Sequence, residues 1–402
     1  MQEVGTDHAL LLVRSWFPEP DNLFWLLSVL RREEPAFVPT FLSAHATRSS
    51  LPIGLAAEVD LARTRLARLR RIQGVIQAQV PDVIAVKGLA VADAYPPGLT
   101  RRTGDLDLVA PDEPAVWQIA HVASVEFGLT VRSVLAFPAR TGGVPGRGVM
   151  VNLVARPTPT FDEPISLDVS THALIGNGTT VPAWRGPAPR PPGPAEHLLM
   201  ITAERLEQSF GLKDIFDASV LAGELARDGD GALMRARELI GHAHLLPELA
   251  ELFDLATRHC LPLPAAARPL AGQVRRARAK RGLHLVATAA AHPVQAPLHS
   301  LQRAEVLPSR AARLRRRLWH AVDRRLPVGA PVRSELFRFG MLVQVSGETD
   351  RPLLRSPLGD YLLVNGAEIS EAWLDHAVVP TAGPEEGPSV FDAAWSRTGH
   401  HP

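Results

Sequence analysis

Cysteine is almost absent from this chain of 402 residues, which contains only Cys260. A single thiol excludes an intramolecular disulfide and a cysteine-based zinc site within one chain. The residues around Cys260 are apolar and typical of a helix, so we expect it to be a buried structural thiol.

The chain also lacks an excess of charge of either sign, and it has no long apolar run. The 43 basic and 42 acidic residues leave a formal net charge of +1, so no overall field favours nucleic acid or an anionic membrane. No apolar run reaches the ~20 residues of a membrane-spanning helix. The first residues carry Glu3 and Asp7 and lack a basic region followed by an apolar core, so we expect no signal peptide. We expect a cytoplasmic protein without a membrane partner.

The length allows two or three domains, and a hydrophobic content of 46% excludes wholesale disorder. No Gly-x-Ser-x-Gly, His-Glu-x-x-His or Walker-type motif is present. Helical and strand patterns predict an α+β protein made of an N-terminal helical segment (1–59), a module of interleaved strands and helices (60–190), a helical domain (195–325), a small β-rich region (330–382) and a disordered tail (383–402).

Two predicted helices precede the first strand. One covers residues 21–32 and begins with Asp21 as its cap. The other covers about residues 60–80, where the apolar positions, including Leu61, are expected to face inward and the arginines, including Arg65, outward.

Paired carboxylates are the most informative feature. In Gly104-Asp105-Leu106-Asp107-Leu108, a strand would place Asp105 and Asp107 on one face and both leucines in the core. Such a pair is readily tolerated when a divalent cation lies between the charges, and its hard oxygen ligands suit Mg²⁺ or Mn²⁺. The same alternation in a strand at 165–169 places Asp168 on the face opposite the core. On a strand beside that of Asp105, Asp168 would complete a cluster of three carboxylates.

A short buried strand at 83–86 ends in Lys87-Gly88 and leads into a predicted helix at 89–95. The backbone N–H groups at such a helix start, together with the Lys87 charge, would suit phosphate oxygens, and Gly88 would let the backbone approach them. An ordinary turn between strand and helix is the alternative.

Together, Val86-Lys87-Gly88-Leu89, Tyr95, Arg101-Arg102, the Asp-x-Asp segment and Leu167-Asp168-Val169 resemble a known family. It is the uncharacterised nucleotidyltransferase-like family of the DNA polymerase beta superfamily, and the resemblance covers about residues 60–230. It implies a nucleotidyltransferase-type mixed sheet with flanking helices, three metal-binding carboxylates and a following helical domain. In this chain Lys87-Gly88 stands where the superfamily usually has Gly-Ser, and Ser170 stands where members often have histidine, so we give His172 no role.

The resemblance implies metal-dependent transfer of a nucleoside monophosphate from a nucleoside triphosphate to a hydroxyl or phosphate of a small molecule, peptide or RNA end, in a peptide or specialised-metabolite tailoring pathway. Asp105, Asp107 and Asp168 would be the catalytic metal ligands, and Lys87, Gly88, Arg101, Arg102 and Lys213 would contact the nucleotide.

Three alternatives stay open at this stage. One of Arg101 and Arg102 would pair with phosphate or Asp105, and the other would lie at the surface. Lys213 would reach the phosphates, or form a surface ion pair with Asp217 in a helix capped by Asp214. The whole protein could instead be a phosphotransferase using the same metal triad, or a catalytically degenerate protein that binds a nucleotide or peptide.

Overall fold

A computed structural model of the chain describes residues 4–18, 22–141, 144–155, 164–175, 181–186, 191–206 and 209–291, and four short strands between residues 337 and 362. Within these residues, no helix combines the length and the apolar character needed to cross a bilayer.

The protein is α+β. Its α-helices are α1 (Thr6–Trp16), α2 (Leu23–Glu33), α3 (Val38–Ala46), α4 (Ile53–Gln79), α5 (Gly88–Asp93), α6 (Glu113–Phe127), α7 (Pro194–Ala203), α8 (Leu212–Arg227), α9 (Asp230–His242), α10 (Leu246–Arg258) and α11 (Ala271–Ala291). Its strands are β1 (Ile84–Val86), β2 (Asp105–Val109), β3 (Leu129–Thr141), β4 (Val144–Ala155), β5 (Ser166–Ser170), β6 (Phe337–Arg338), β7 (Met341–Val343), β8 (Leu353–Ser356) and β9 (Gly359–Leu362).

The main sheet is mixed and has the strand order β1-β2-β5-β4-β3, with the two-residue β6 at the β3 edge. β4 runs antiparallel to both β3 and β5. Helix α6 packs against β3, β4 and β5, and its start is capped by the Asp112 side chain, which accepts a hydrogen bond from the Ala115 N–H at 2.9 Å. It ends at Gly128, whose φ of 64° suits a residue without a Cβ.

The predicted alternation in β2 and β5 is confirmed. Leu106, Leu108, Leu167 and Val169 are buried, whereas the aspartates between them keep access to solvent.

Several local predictions were wrong. Asn22, not Asp21, caps α2, because its side chain accepts hydrogen bonds from the N–H groups of Phe24 and Trp25. Helix α4 starts at Ile53 rather than near residue 60, and its Leu61 is exposed. Cys260 is exposed and has a positive φ of 60°, so it is not a buried thiol.

Helices α7–α10 follow one another in the region where the sequence predicts a helical domain (195–325). The described residues divide into two compact units that each combine separate segments: those within 1–73, 85–106 and 186–287 in one, and those within 74–84, 107–185 and 288–402 in the other. Strands β7, β8 and β9 form a small antiparallel sheet within the range expected to be β-rich. The predicted domain bounds and the predicted tail, whose residues lie outside the described part, stay predictions.

Candidate metal and phosphate site

Three carboxylates from two neighbouring strands converge. Asp105 and Asp107 are two residues apart on β2, and Asp168 lies on β5. Each offers one oxygen, and these ligand atoms all lie within 4.8 Å of one another. The convergence expected if the two strands are neighbours is therefore present.

The donor set fits a hard divalent cation. Every ligand atom is a carboxylate oxygen, which suits Mg²⁺ or Mn²⁺ better than a soft metal that prefers thiolate ligands. Asp105 is exposed and the other two aspartates are partly buried, so solvent and a substrate can reach the group. Exposed acidic groups are common without an ion, so the presence of a metal stays a prediction.

Asn152 is a member of this site that sequence reasoning missed. It lies directly opposite Asp168 in the β4–β5 register. Its amide nitrogen donates hydrogen bonds to Asp168 Oδ1 and to Ser166 Oγ. The signal was a lone polar residue between the buried Val151 and Leu153, and its effect is to orient the Asp168 carboxylate.

Arg65 was predicted to face solvent, and that prediction was wrong. Its side chain is buried and donates from Nε to the Thr103 carbonyl at 3.0 Å and from Nη2 to the Gly104 carbonyl at 2.6 Å. A guanidinium is needed here because it satisfies two backbone acceptors at once. Arg65 therefore fixes the chain immediately before Asp105.

Gly88 is required by the protein's own packing. A Cβ at this position would lie 2.7 Å from Thr103 Cγ2 and 3.4 Å from the Asp105 carbonyl oxygen. Thr103 thus occupies the space beside the Gly88 backbone. The predicted approach of phosphate to Gly88 stays a prediction, and α5, at six residues, is shorter than expected.

Lys87 has an unusual backbone and two defined partners. Its φ of 52° and ψ of −118° lie in a region that a side chain disfavours, and such strain persists only where surrounding contacts maintain it. The Lys87 N–H donates to His197 Nδ1 at 3.3 Å, and Nζ donates to Glu204 Oε1 at 2.6 Å. The phosphate-binding role predicted for Lys87 would therefore begin from an ion pair with Glu204.

His197 acts as an acceptor toward Lys87. Burial lowers the pKa of His197 to about 4, with the Glu196 charge opposing and the Arg101 charge reinforcing the shift. The imidazole is thus neutral near pH 7, and Nδ1 accepts the backbone hydrogen bond. His172, to which we assigned no role, follows β5, and burial together with Arg185 likewise lowers its pKa to about 4.

Arg101 is buried and paired with Asp217 rather than with Asp105. Its Nη2 donates to Asp217 Oδ2 at 2.7 Å and its Nε to Oδ1 at 2.9 Å, while Tyr95 donates its hydroxyl to the same Oδ1 at 2.6 Å. Burial alone would raise the pKa of Asp217, but the charges of Arg101 and Lys213 bring it below its usual value. The carboxylate is therefore ionised, and a phosphate contact for Arg101 stays a prediction.

Lys213 forms ion pairs with Asp214 at 2.7 Å and with Asp217 at 3.6 Å. The ion pair between Lys213 and Asp217 that was predicted as an alternative is present, but it does not lie at the surface as expected, because Asp217 is fully buried. Asp214 is not the cap either: Gly211 precedes α8, and its N–H donates to the Asp214 carboxylate at 3.0 Å. Arg102 is partly buried and donates to the Pro35 carbonyl at 3.0 Å.

Comparisons with protein-family models, with curated proteins and with solved structures find no match to this chain.

Proposed function

We propose that this chain is a metal-dependent nucleotidyltransferase that transfers a nucleoside monophosphate from a nucleoside triphosphate to a hydroxyl or phosphate acceptor. The observation that supports it most is the approach of the Asp105, Asp107 and Asp168 ligand atoms to within 4.8 Å of one another. The order of the Lys-Gly, Tyr, Arg and Asp-x-Asp elements, similar to that of the DNA polymerase beta superfamily, supports the same reaction.

Asp105, Asp107 and Asp168 would hold Mg²⁺ or Mn²⁺. When bound, such a cation neutralises charge on phosphate oxygens and favours in-line attack at phosphorus. Lys87 would take up negative charge on the leaving pyrophosphate, since its ammonium is a mobile donor of three hydrogen bonds.

Asp168 would also orient the attacking hydroxyl and accept its proton. The Asn152 amide donates to one carboxylate oxygen and so restricts rotation of the Asp168 side chain. A carboxylate whose rotation is restricted would stay aligned with the attacking hydroxyl. This alignment would raise the rate, because proton transfer requires contact at hydrogen-bond distance. The acceptor is a small molecule, a peptide or an RNA end. The resemblance favours the first two, and a formal net charge of +1 gives no overall field that favours nucleic acid.

Labelled triphosphates separate this reaction from its alternatives. The full chain is incubated with Mg²⁺ and each of the four nucleoside triphosphates, labelled at the α- or the γ-phosphate, with pooled metabolites and peptides as acceptors. Transfer of the α-label with release of pyrophosphate is the expected result. The Asp105→Asn/Asp107→Asn variant should lose the transfer by several orders of magnitude, because the carboxylates act together.

Other outcomes identify other functions. Transfer of the γ-label alone would identify a phosphotransferase. Binding of triphosphate without transfer of either label would favour the degenerate binding protein. If the chain neither binds nor transfers a triphosphate, the proposal is wrong.

A further inference from the structure

Glu204 has an unusual position for an acidic residue. It begins a single 3-10 turn (Glu204–Leu206) that directly follows α7. Its carboxylate accepts a hydrogen bond from Lys87 Nζ at 2.6 Å, although the two residues are 117 positions apart. The pair is only partly buried, with 31% of the Lys87 side chain and 21% of the Glu204 side chain exposed.

The surroundings of Glu204 are cationic. Burial would raise the pKa of its carboxyl, but the Lys87 charge and hydrogen bond, followed by the charges of Lys213 and Arg101, lower the pKa below its usual value. Lys213 and Arg101 also have carboxylate partners of their own, Asp214 and Asp217, so three carboxylates balance the three cations. Lys87 pairs with Glu204, and it is the cation that an incoming phosphate would take over from that carboxylate.

The other acidic residues in this cluster are bound more deeply. Asp217 is fully buried and accepts from Arg101 and Tyr95, and Asp214 is 5% exposed by its side chain and pairs with Lys213. Of the acidic partners of Lys87, Arg101 and Lys213 in these ion pairs, Glu204 is the most accessible. An incoming anion would therefore compete with Glu204 first.

Lys87 does not depend on Glu204 for its backbone position. Its N–H donates to His197 Nδ1 at 3.3 Å, and its carbonyl accepts from the Val91 N–H at 2.9 Å. The side chain can rotate to a new partner about its flexible stem while these backbone contacts remain.

We infer that Glu204 occupies the position of a phosphate group and must release Lys87 before a polyphosphate chain can bind to Lys87. Glu204 thereby acts as an internal competitor that weakens the binding of free phosphates. The inference rests on the proposed function only for the identification of that polyphosphate as part of a nucleotide.

Metal-free binding of inorganic tripolyphosphate tests this inference apart from catalysis. In the presence of EDTA, calorimetry on the full chain compares the wild type with Glu204→Gln, which keeps the shape of the side chain and removes its charge. We expect Glu204→Gln to bind about fivefold tighter, the size of effect that loss of one partly exposed ion pair produces. The gain should disappear in Lys87→Gln/Glu204→Gln, because the cation that the phosphate would take over is then missing.

Glu251→Gln is the matched control. Glu251 pairs with Arg205, the residue after Glu204, at 2.9 Å, and its loss changes the net charge by the same amount. Affinity equal to that of the wild type is expected for this control. A gain as large as that of Glu204→Gln would show a general charge effect and overturn the inference.

Hydrogen exchange on the wild-type chain gives a second readout that needs no variant. Tripolyphosphate should accelerate exchange of the amides at residues 204–206, while those of α8 stay protected. Unchanged or weaker binding by Glu204→Gln, or unchanged exchange at 204–206, would overturn the inference. A tighter-binding variant in a chain that transfers no label would instead leave the Glu204 inference standing and remove nucleotidyl transfer.

Discussion

Asp217 accepts hydrogen bonds from Nε and Nη2 of the Arg101 guanidinium, while its own side chain has no exposed surface. Arg101 itself is 5% exposed by its side chain, so neither charge is hydrated. A buried charge without its partner is far more costly than a surface charge, and the pair therefore acts as a unit.

Asp217→Asn should destabilise the protein by about 3–5 kcal/mol, because Arg101 would remain buried without an anionic partner. Urea unfolding measures the loss. Glu224→Gln, which breaks a more exposed ion pair with Arg227 on the same helix, should cost less than about 0.5 kcal/mol. Similar losses for the two variants would show that burial of the Arg101–Asp217 pair does not set its contribution.

The three converging aspartates should make the chain respond to Mn²⁺. Added Mn²⁺ should raise the melting temperature of the wild type, because an ion that binds only the folded state stabilises that state. Asp107→Asn and Asp168→Asn should each abolish that rise and should slightly raise stability without metal, because one of three like charges is removed.

Asp93→Asn provides the control for the metal response. Asp93 lies at the end of α5 and pairs with Arg70 on the surface, outside the triad. It should keep the full Mn²⁺ response. A wild-type chain whose melting temperature ignores Mn²⁺ at millimolar concentration would contradict a metal site at the triad.

The carboxyl group of Glu34 should make the stability of the folded chain depend on pH. Its carboxylate accepts the Leu212 N–H at 3.1 Å at the start of α8. Burial is the main cause that raises the pKa of Glu34 to about 7; the Leu212 hydrogen bond and Lys213 oppose the shift, and Asp214 and Glu33 add to it.

Because the pKa is higher in the folded than in the unfolded chain, the folded state keeps its proton over a range in which the unfolded state has lost it. Stability from this group is complete below about pH 4.5 and falls as the pH rises toward 7. Glu34→Gln keeps the oxygen that accepts from Leu212, and should exceed the wild type at pH 8 by roughly 2 kcal/mol more than at pH 4.5. Chemical unfolding at the two pH values is the measurement.

Glu58→Gln removes a carboxylate from an ion pair with the half-exposed Arg31 and serves as the comparison. It should not reproduce the gain at pH 8. An effect of Glu34→Gln that is the same at both pH values would contradict the raised pKa.

Gly88 and Thr103 should show a compensating pair of substitutions. Gly88→Ala places a methyl group 2.7 Å from Thr103 Cγ2, so we expect a loss of about 1–3 kcal/mol from overpacking. Thr103→Ser removes that methyl group and keeps the hydroxyl. The Gly88→Ala/Thr103→Ser double variant should recover most of the loss in urea unfolding, and additive losses would contradict the contact.

The faces of β2 and β5 could be predicted from the sequence. Side chains of a strand alternate by backbone geometry alone, so Asp105 and Asp107 had to share a face wherever that strand lay. Alternation places Asp168 on one face of its own strand too, and a common sheet then brings the three carboxylates together.

Local capping was harder to predict, since two adjacent polar residues compete for one helix start. Both Asp21 and Asn22 can cap a helix, and the structure uses Asn22. The propensity of the residue type does not decide between neighbours, because the outcome depends on the backbone conformation that the preceding chain adopts.

The ion pairs were decided by tertiary structure. Arg65 lies on a helix face that the sequence predicts to be exposed to solvent. Its side chain nevertheless contacts the carbonyls of Thr103 and Gly104, 38 and 39 residues away. Lys87 and Arg101 pair with Glu204 and Asp217, which are 117 and 116 residues further along. The sequence by itself determined which side chains each strand presents on one face, because that periodicity is local. Which cation meets which carboxylate depended on the packing of distant helices, because electrostatic pairing follows distance in space and carries no signal in sequence spacing.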